Sequence, residues 1–116
     1  MAVAQNRQAW INSLRDTVAE LQSLIVPLWH LGGDDAQQAA SEPYGRAAFL
    51  LSKLRLLINA RETDHQQLAE LAERAFHLAT GRNRGEPSDI GQVQRELTAS
   101  AQAILKREWE RVKRGR

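Results

Sequence analysis

Cysteine is absent from the 116 residues, so a disulfide framework, a thiolate nucleophile and thiolate metal ligands are all excluded. No stretch approaches the roughly 18 uninterrupted apolar residues of a membrane span. The opening Met1-Ala2-Val3-Ala4-Gln5-Asn6-Arg7 has no apolar run of the kind a signal peptide carries. Taken alone, these absences predict a soluble cytoplasmic chain. A phosphate-cradling glycine loop is missing too, because Gly32-Gly33 runs into Asp34-Asp35, whose charge repels phosphate. Aromatics are scarce and number six: Trp10, Trp29, Trp109, Phe49, Phe76 and Tyr44. Neither sign of charge dominates, since the net is +2, but the tail is distinct. Residues 106–116 hold six basic side chains against Glu108 and Glu110, a net of +4, which leaves −2 for the rest of the chain.

What is present is helix-forming. Hydrophobic residues make up 42% of the chain, enough for one core, and Leu, Ala, Gln, Glu and Arg dominate the composition. Trp10, Leu14, Val18, Leu21, Ile25 and Leu28 step by three and four, which predicts a first helix over about 6–30. Pro27 should kink or end it, and Gly32-Gly33 should stop it. Ser41 is an N-cap candidate for a second helix to about Ile58, with Ala47, Leu51, Leu54 and Ile58 as its stripe and Leu50 and Leu57 widening it. This is the most apolar element and is expected to be the most buried. Two overlapping cap signals, Asn59 to Glu62 and Thr63 to Gln66, open a third helix carrying Leu68, Leu71, Ala72, Ala75, Phe76 and Ala79, with Gly81 as its C-terminal cap. After the loop 82–87, Ser88 is the expected cap of a last helix. Ile90, Val93, Leu97, Ala101, Ile104, Leu105, Trp109 and Val112 form its stripe. The prediction is one all-α domain over 1–116: a four-helix antiparallel, up-down-up-down bundle with long first and last helices.

Chemistry-bearing clusters are thin. Glu62 and His65 have the Glu-x-x-His spacing of carboxylate-bridged metal bundles, but such sites need a second copy of the motif and two further glutamates. Capping and solvated charge explain these residues more simply, and Glu73 and His77 read as a surface pair. His30, His65 and His77 fall on different elements or faces, with no Ser or Cys beside them in a nucleophile motif. The expectation is therefore no metal, no cofactor, no catalytic residue and no enzyme. Trp10, Leu14, Trp29, Trp109 and Val112 are the candidate interface residues, since tryptophans near helix ends can anchor a partner as well as fill a core. Arg82, Arg84, Lys106, Arg107, Lys113 and Arg114 are the candidate anion or nucleic-acid contacts, although basic residues also suit a helix C-terminus.

Three segments carry a resemblance. Residues 6–16, from Asn6-Arg7-Gln8-Ala9-Trp10-Ile11 to Asp16, and residues 103–115, through Lys106-Arg107-Glu108-Trp109-Glu110-Arg111, resemble the ends of a family of uncharacterised bacterial helical-bundle proteins. Leu56-Leu57-Ile58-Asn59-Ala60-Arg61-Glu62-Thr63-Asp64-His65 resembles that family's central turn, often written with proline where Ala60 stands. The resemblance implies a helical bundle. Because members often carry a transmembrane helix ahead of the Arg-Gln-x-Trp-Ile segment, it also implies a setting beside the membrane. The expected function is a non-enzymatic helical interaction or oligomerisation module, the cytosolic part of a membrane-anchored protein where an anchor precedes it. Its partners would be a second copy or another protein, or a membrane surface. The alternative is a small nucleic-acid-binding or regulatory protein using the basic last helix.

Overall fold

The computed structural model describes residues 2–31, 41–81 and 86–115, with side chains from Asn6 onward. Four helices and no strand occur among the described residues: α1 (Ala2–Leu31), α2 (Glu42–Leu57), α3 (Thr63–Thr80) and α4 (Pro87–Lys113). The molecule measures 50 × 25 × 22 Å along its principal axes. None of the helices is long and apolar enough to cross a membrane. Arg82 and Arg84, and the glycine stop after α1, lie outside the described residues.

α1 is the spine, packing against each of the other three helices. Its predicted stripe is the core: Leu14, Val18, Leu21, Ile25 and Leu28 are buried, joined by Ile11. α1 also continues through Pro27 to Leu31, so the proline does not end it. Pro27 and Val26 face solvent, whereas Leu28 is buried and Trp29 packs on the core. Burial of Leu28 contributes about 1.5–3 kcal/mol, and together with the packing of Trp29 on the core it offsets the roughly 3 kcal/mol that an interior proline costs.

Starts and stops follow local chemistry, with corrections. Ser41 caps α2 as expected, its Oγ accepting the Tyr44 amide hydrogen at 3.4 Å. α3 starts at Thr63 with Glu62 in the cap position, so neither predicted cap residue fills that role. Asn59 instead shapes the turn, its Oδ1 accepting the Arg61 amide at 3.0 Å. α4 starts at Pro87, ahead of the expected cap Ser88. Proline at the first helical position has no amide to leave orphaned, and Asp89 Oδ2 accepts the Glu86 amide at 2.9 Å.

The largest correction concerns α2. Only Ala47, Leu50 and Leu54 are buried, while Phe49 is 53% and Leu56 88% exposed. α2 packs on α1 and, less extensively, on α3, so its apolar residues outnumber the faces that cover them. α3 is the helix with the fuller buried face, from His65 through Leu68, Ala72 and Phe76 to Ala79.

Candidate functional site

At one end of the molecule the start of α1, the α2–α3 turn and the last turns of α4 meet around a cleft of about 500 Å³. Trp10 forms one wall. Its indole Nε1–H donates to the Leu57 carbonyl at 2.7 Å, satisfying one of the acceptors that a helix C-terminus leaves free. Its ring stacks on the His65 imidazole at 5.6 Å between centroids, with 15° between planes.

His65 is buried and tied on both nitrogens. Nδ1 accepts the Asn59 amide hydrogen at 2.9 Å, so the ring proton belongs on Nε2. Nε2 lies 2.9 Å from Glu62 Oε2, a donation from ring to carboxylate one helical turn back. Residue 65 thus locks the turn that brings α2 onto α3. The Asp64 Oδ1 accepts the His65 amide at 2.9 Å and its Oδ2 pairs with Arg107 of α4.

Glu108 is the residue that sequence reading missed. It is only 6% exposed and receives Arg111 Nη1 at 2.9 Å, with Arg7 Nη1 and Arg107 Nη2 each at 3.7 Å. The signal was in the stripe itself: Ile90, Val93, Leu97, Ala101 and Ile104 continued by four land on position 108, not on Trp109. Three carboxylates (Glu62, Asp64, Glu108) therefore meet three guanidinium groups (Arg7, Arg107, Arg111), and the cluster is electrically balanced. Burial raises the Asp64 carboxyl, but the Arg107 hydrogen bond and charge, with His65, outweigh it and hold the carboxyl below its usual range. Burial disfavours the charged Arg107, and Asp64, Glu62 and Glu108 together more than offset it, so its pKa is raised.

Glu62, His65 and Glu108 bring one ligand atom each within 4.8 Å of one another, a spread that a divalent ion could bridge. Two features oppose that use. The nitrogen facing the carboxylates carries the ring proton, because the Asn59 amide occupies the other lone pair. Arg107 Nη2 also stands 3.4 Å from Glu62 Oε2, 3.4 Å from His65 Nε2 and 3.7 Å from Glu108 Oε1, which is where an ion would sit. The trio fits a guanidinium, and α4 supplies it. Among the described residues no hydroxyl or thiol lines the cleft, and its acids and imidazole are all engaged, so the arrangement clamps three elements together.

The remaining predicted residues scatter. Trp10 is half-buried and faces this cluster at the cleft, and Leu14 is fully buried. Trp29 packs on the core, edge-on to His30 at 5.3 Å. Trp109 is 40% exposed with Lys113 Nζ 5.9 Å from its ring centroid, and Val112 is half-buried. Of the basic candidates, Arg107 is committed to Asp64 and Glu62, whereas Lys106, Lys113 and Arg114 are exposed. Glu73 pairs with Arg55 at 2.8 Å instead of with His77. No protein-family model, curated protein or solved structure matches the chain.

Proposed function

We propose that the protein is a non-enzymatic helical interaction module that self-associates through the outer face of α2. The observation that carries this reading is the exposed row Gly45, Phe49, Ser52 and Leu56, stepping by four, three and four. That is the spacing of a seam between packed helices. Two α2 helices laid antiparallel set Phe49 of one copy against Leu56 of the other, with the small Ser52 residues near the centre. The flanking charges permit it. Arg46 Nη2 donates to Glu20 at 2.7 Å and Arg55 is paired with Glu73. Lys53 beside the row has only the same Glu20 in its field, which leaves about one positive charge on each copy's face and weakens the association. Two exposed apolar side chains fall well short of the roughly 800 Å² per partner of a tight dimer, so the association is weak and concentration-dependent.

The topology that goes with this reading is the up-down-up-down bundle with long outer helices. Pairs whose residue order runs in opposite directions support it: Trp10 with Leu57 and Glu20 with Arg46 between α1 and α2, and Asp64 with Arg107 and Arg74 with Glu96 between α3 and α4. Arg7 with Glu108 closes α1 against α4 in the same sense.

Sedimentation velocity over a wide concentration range tests the function. The wild type should shift toward a dimer as concentration rises, and the double variant Phe49→Glu/Leu56→Glu should stay monomeric with an unchanged helical signal. A wild type that remains monomeric at millimolar concentration, or a double variant that associates equally well, overturns the reading.

A further inference from the structure

The ion pairing at the cleft divides the basic residues of α4 into two sets. Arg107 and Arg111 turn inward to Glu62, Asp64 and Glu108. Arg95, Lys106, Lys113 and Arg114 are exposed, and none forms a salt bridge among the described residues. Arg95 only steadies itself on Gln92, at 3.0 Å. From position 92 to position 114 the acids are few: Glu108 is buried, Glu110 is half-buried, and Glu96, its side chain 41% exposed, is paired with Arg74 of α3 at 3.9 Å.

The exposed cations are also aligned. At 3.6 residues per turn, separations of 11 and 7 return to within about 20° of the same direction, so Arg95, Lys106 and Lys113 stand in one row roughly 27 Å long. Gln102, exposed and uncharged, continues the row between Arg95 and Lys106, with the small exposed Ala99 beside it. Trp109 lies beside the row between Lys106 and Lys113, 40% exposed. A linear track of cations with one presented aromatic face has the charge and shape of a single-strand binding surface, cations on phosphates and the ring under a base. A bilayer surface asks for several apolar side chains to enter it beside the cations, and this face offers Trp109 alone.

We propose that the solvent face of α4 binds single-stranded nucleic acid, with Arg95, Lys106, Lys113 and Arg114 contacting the backbone and Trp109 stacking on a base. The site is separate from the α2 face, since α2 and α4 share no extensive packing.

Fluorescence anisotropy with a labelled oligothymidylate, titrated with potassium chloride, tests it. Four phosphate contacts on a single strand predict a loss of affinity of about 600-fold per tenfold rise in salt. The triple variant Arg95→Gln/Lys106→Gln/Lys113→Gln should bind far more weakly and lower the salt slope by about 2. Trp109→Ala should cost roughly 5- to 150-fold in affinity and leave the salt slope unchanged. Arg15→Gln/Arg61→Gln, which removes exposed cations elsewhere, should bind as wild type. Phe49→Glu/Leu56→Glu should also bind as wild type, which separates this proposal from the self-association reading. Every substituted residue is exposed, and thermal melts establish that each variant is folded. Absence of binding at low salt, an equal loss in the Arg15/Arg61 variant, or tighter binding to phosphatidylglycerol vesicles than to the oligonucleotide overturns the proposal.

Discussion

Gly81 and Gly45 show how little a residue type says without its surroundings. Gly81 ends α3, yet not through the left-handed conformation that favours glycine there; its φ is −75° and ψ 170°. Glycine is needed for a different reason: a Cβ at 81 would lie 2.6 Å from the His77 carbonyl oxygen, which accepts the Gly81 amide at 2.7 Å. Gly45 sits inside α2 with open space where a Cβ would be. Gly81→Ala should therefore destabilise by about 1–2 kcal/mol, and Gly45→Ala should stabilise by about 0.5–1 kcal/mol. Urea denaturation of the two variants checks the pair, and equal signs would refute the account. His65 makes the same point about chemistry. Its spacing from Glu62 was legible in the chain, but its Nδ1 contact with Asn59 and its stacking on Trp10 were not.

Among the elements, α1 and α2 depart from expectation in opposite directions. α1 keeps its helix through Pro27 because Leu28 beyond it is buried. Pro27 offers no amide to the Ser23 carbonyl, a deficit that the exposed site leaves to solvent. Pro27→Ala should restore that bond and raise stability by about 1–3 kcal/mol. A variant no more stable than wild type by chemical denaturation would mean that the last turn of α1 gains nothing from a continuous ladder. α2 has more apolar residues than it has neighbours, so Phe49 and Leu56 stay in water. Hydrophobicity summed along a helix measures what could be buried; the number of packed faces sets what is. The stripe of α4 was legible as far as Ile104 and then misassigned, because Trp109 drew the period away from the acidic residue at 108.

For the whole molecule, the charge cluster at the cleft couples stability to pH. Asp64 is held below its ordinary carboxylate range in the folded state. Its contribution is therefore complete above the unfolded value near 4, and is lost as the pH falls through the lower folded value. Asp64→Asn keeps an acceptor for the His65 amide and removes the charge. The variant should be less stable than wild type at neutral pH, by less than about 1 kcal/mol because the carboxylate is over a third exposed. The gap should close below about pH 4. Melting curves across the acid range measure this, and a gap that stays constant with pH would place the effect elsewhere.

Periodicity by itself determined the class of the protein, its helices to within a few residues and most of its core, because a 3.6-residue repeat of apolar side chains has one economical use. The sequence also pointed to the Ser41 cap and to the basic balance of the last helix. Tertiary structure decided which cations remain available and which apolar residues are left over. Arg107 and Arg111 are drawn inward by carboxylates that lie on α3 and beside them on α4, while Lys106 and Lys113 stay outside. Those outcomes depend on distances between residues far apart in the chain, and a local pattern carries no record of them.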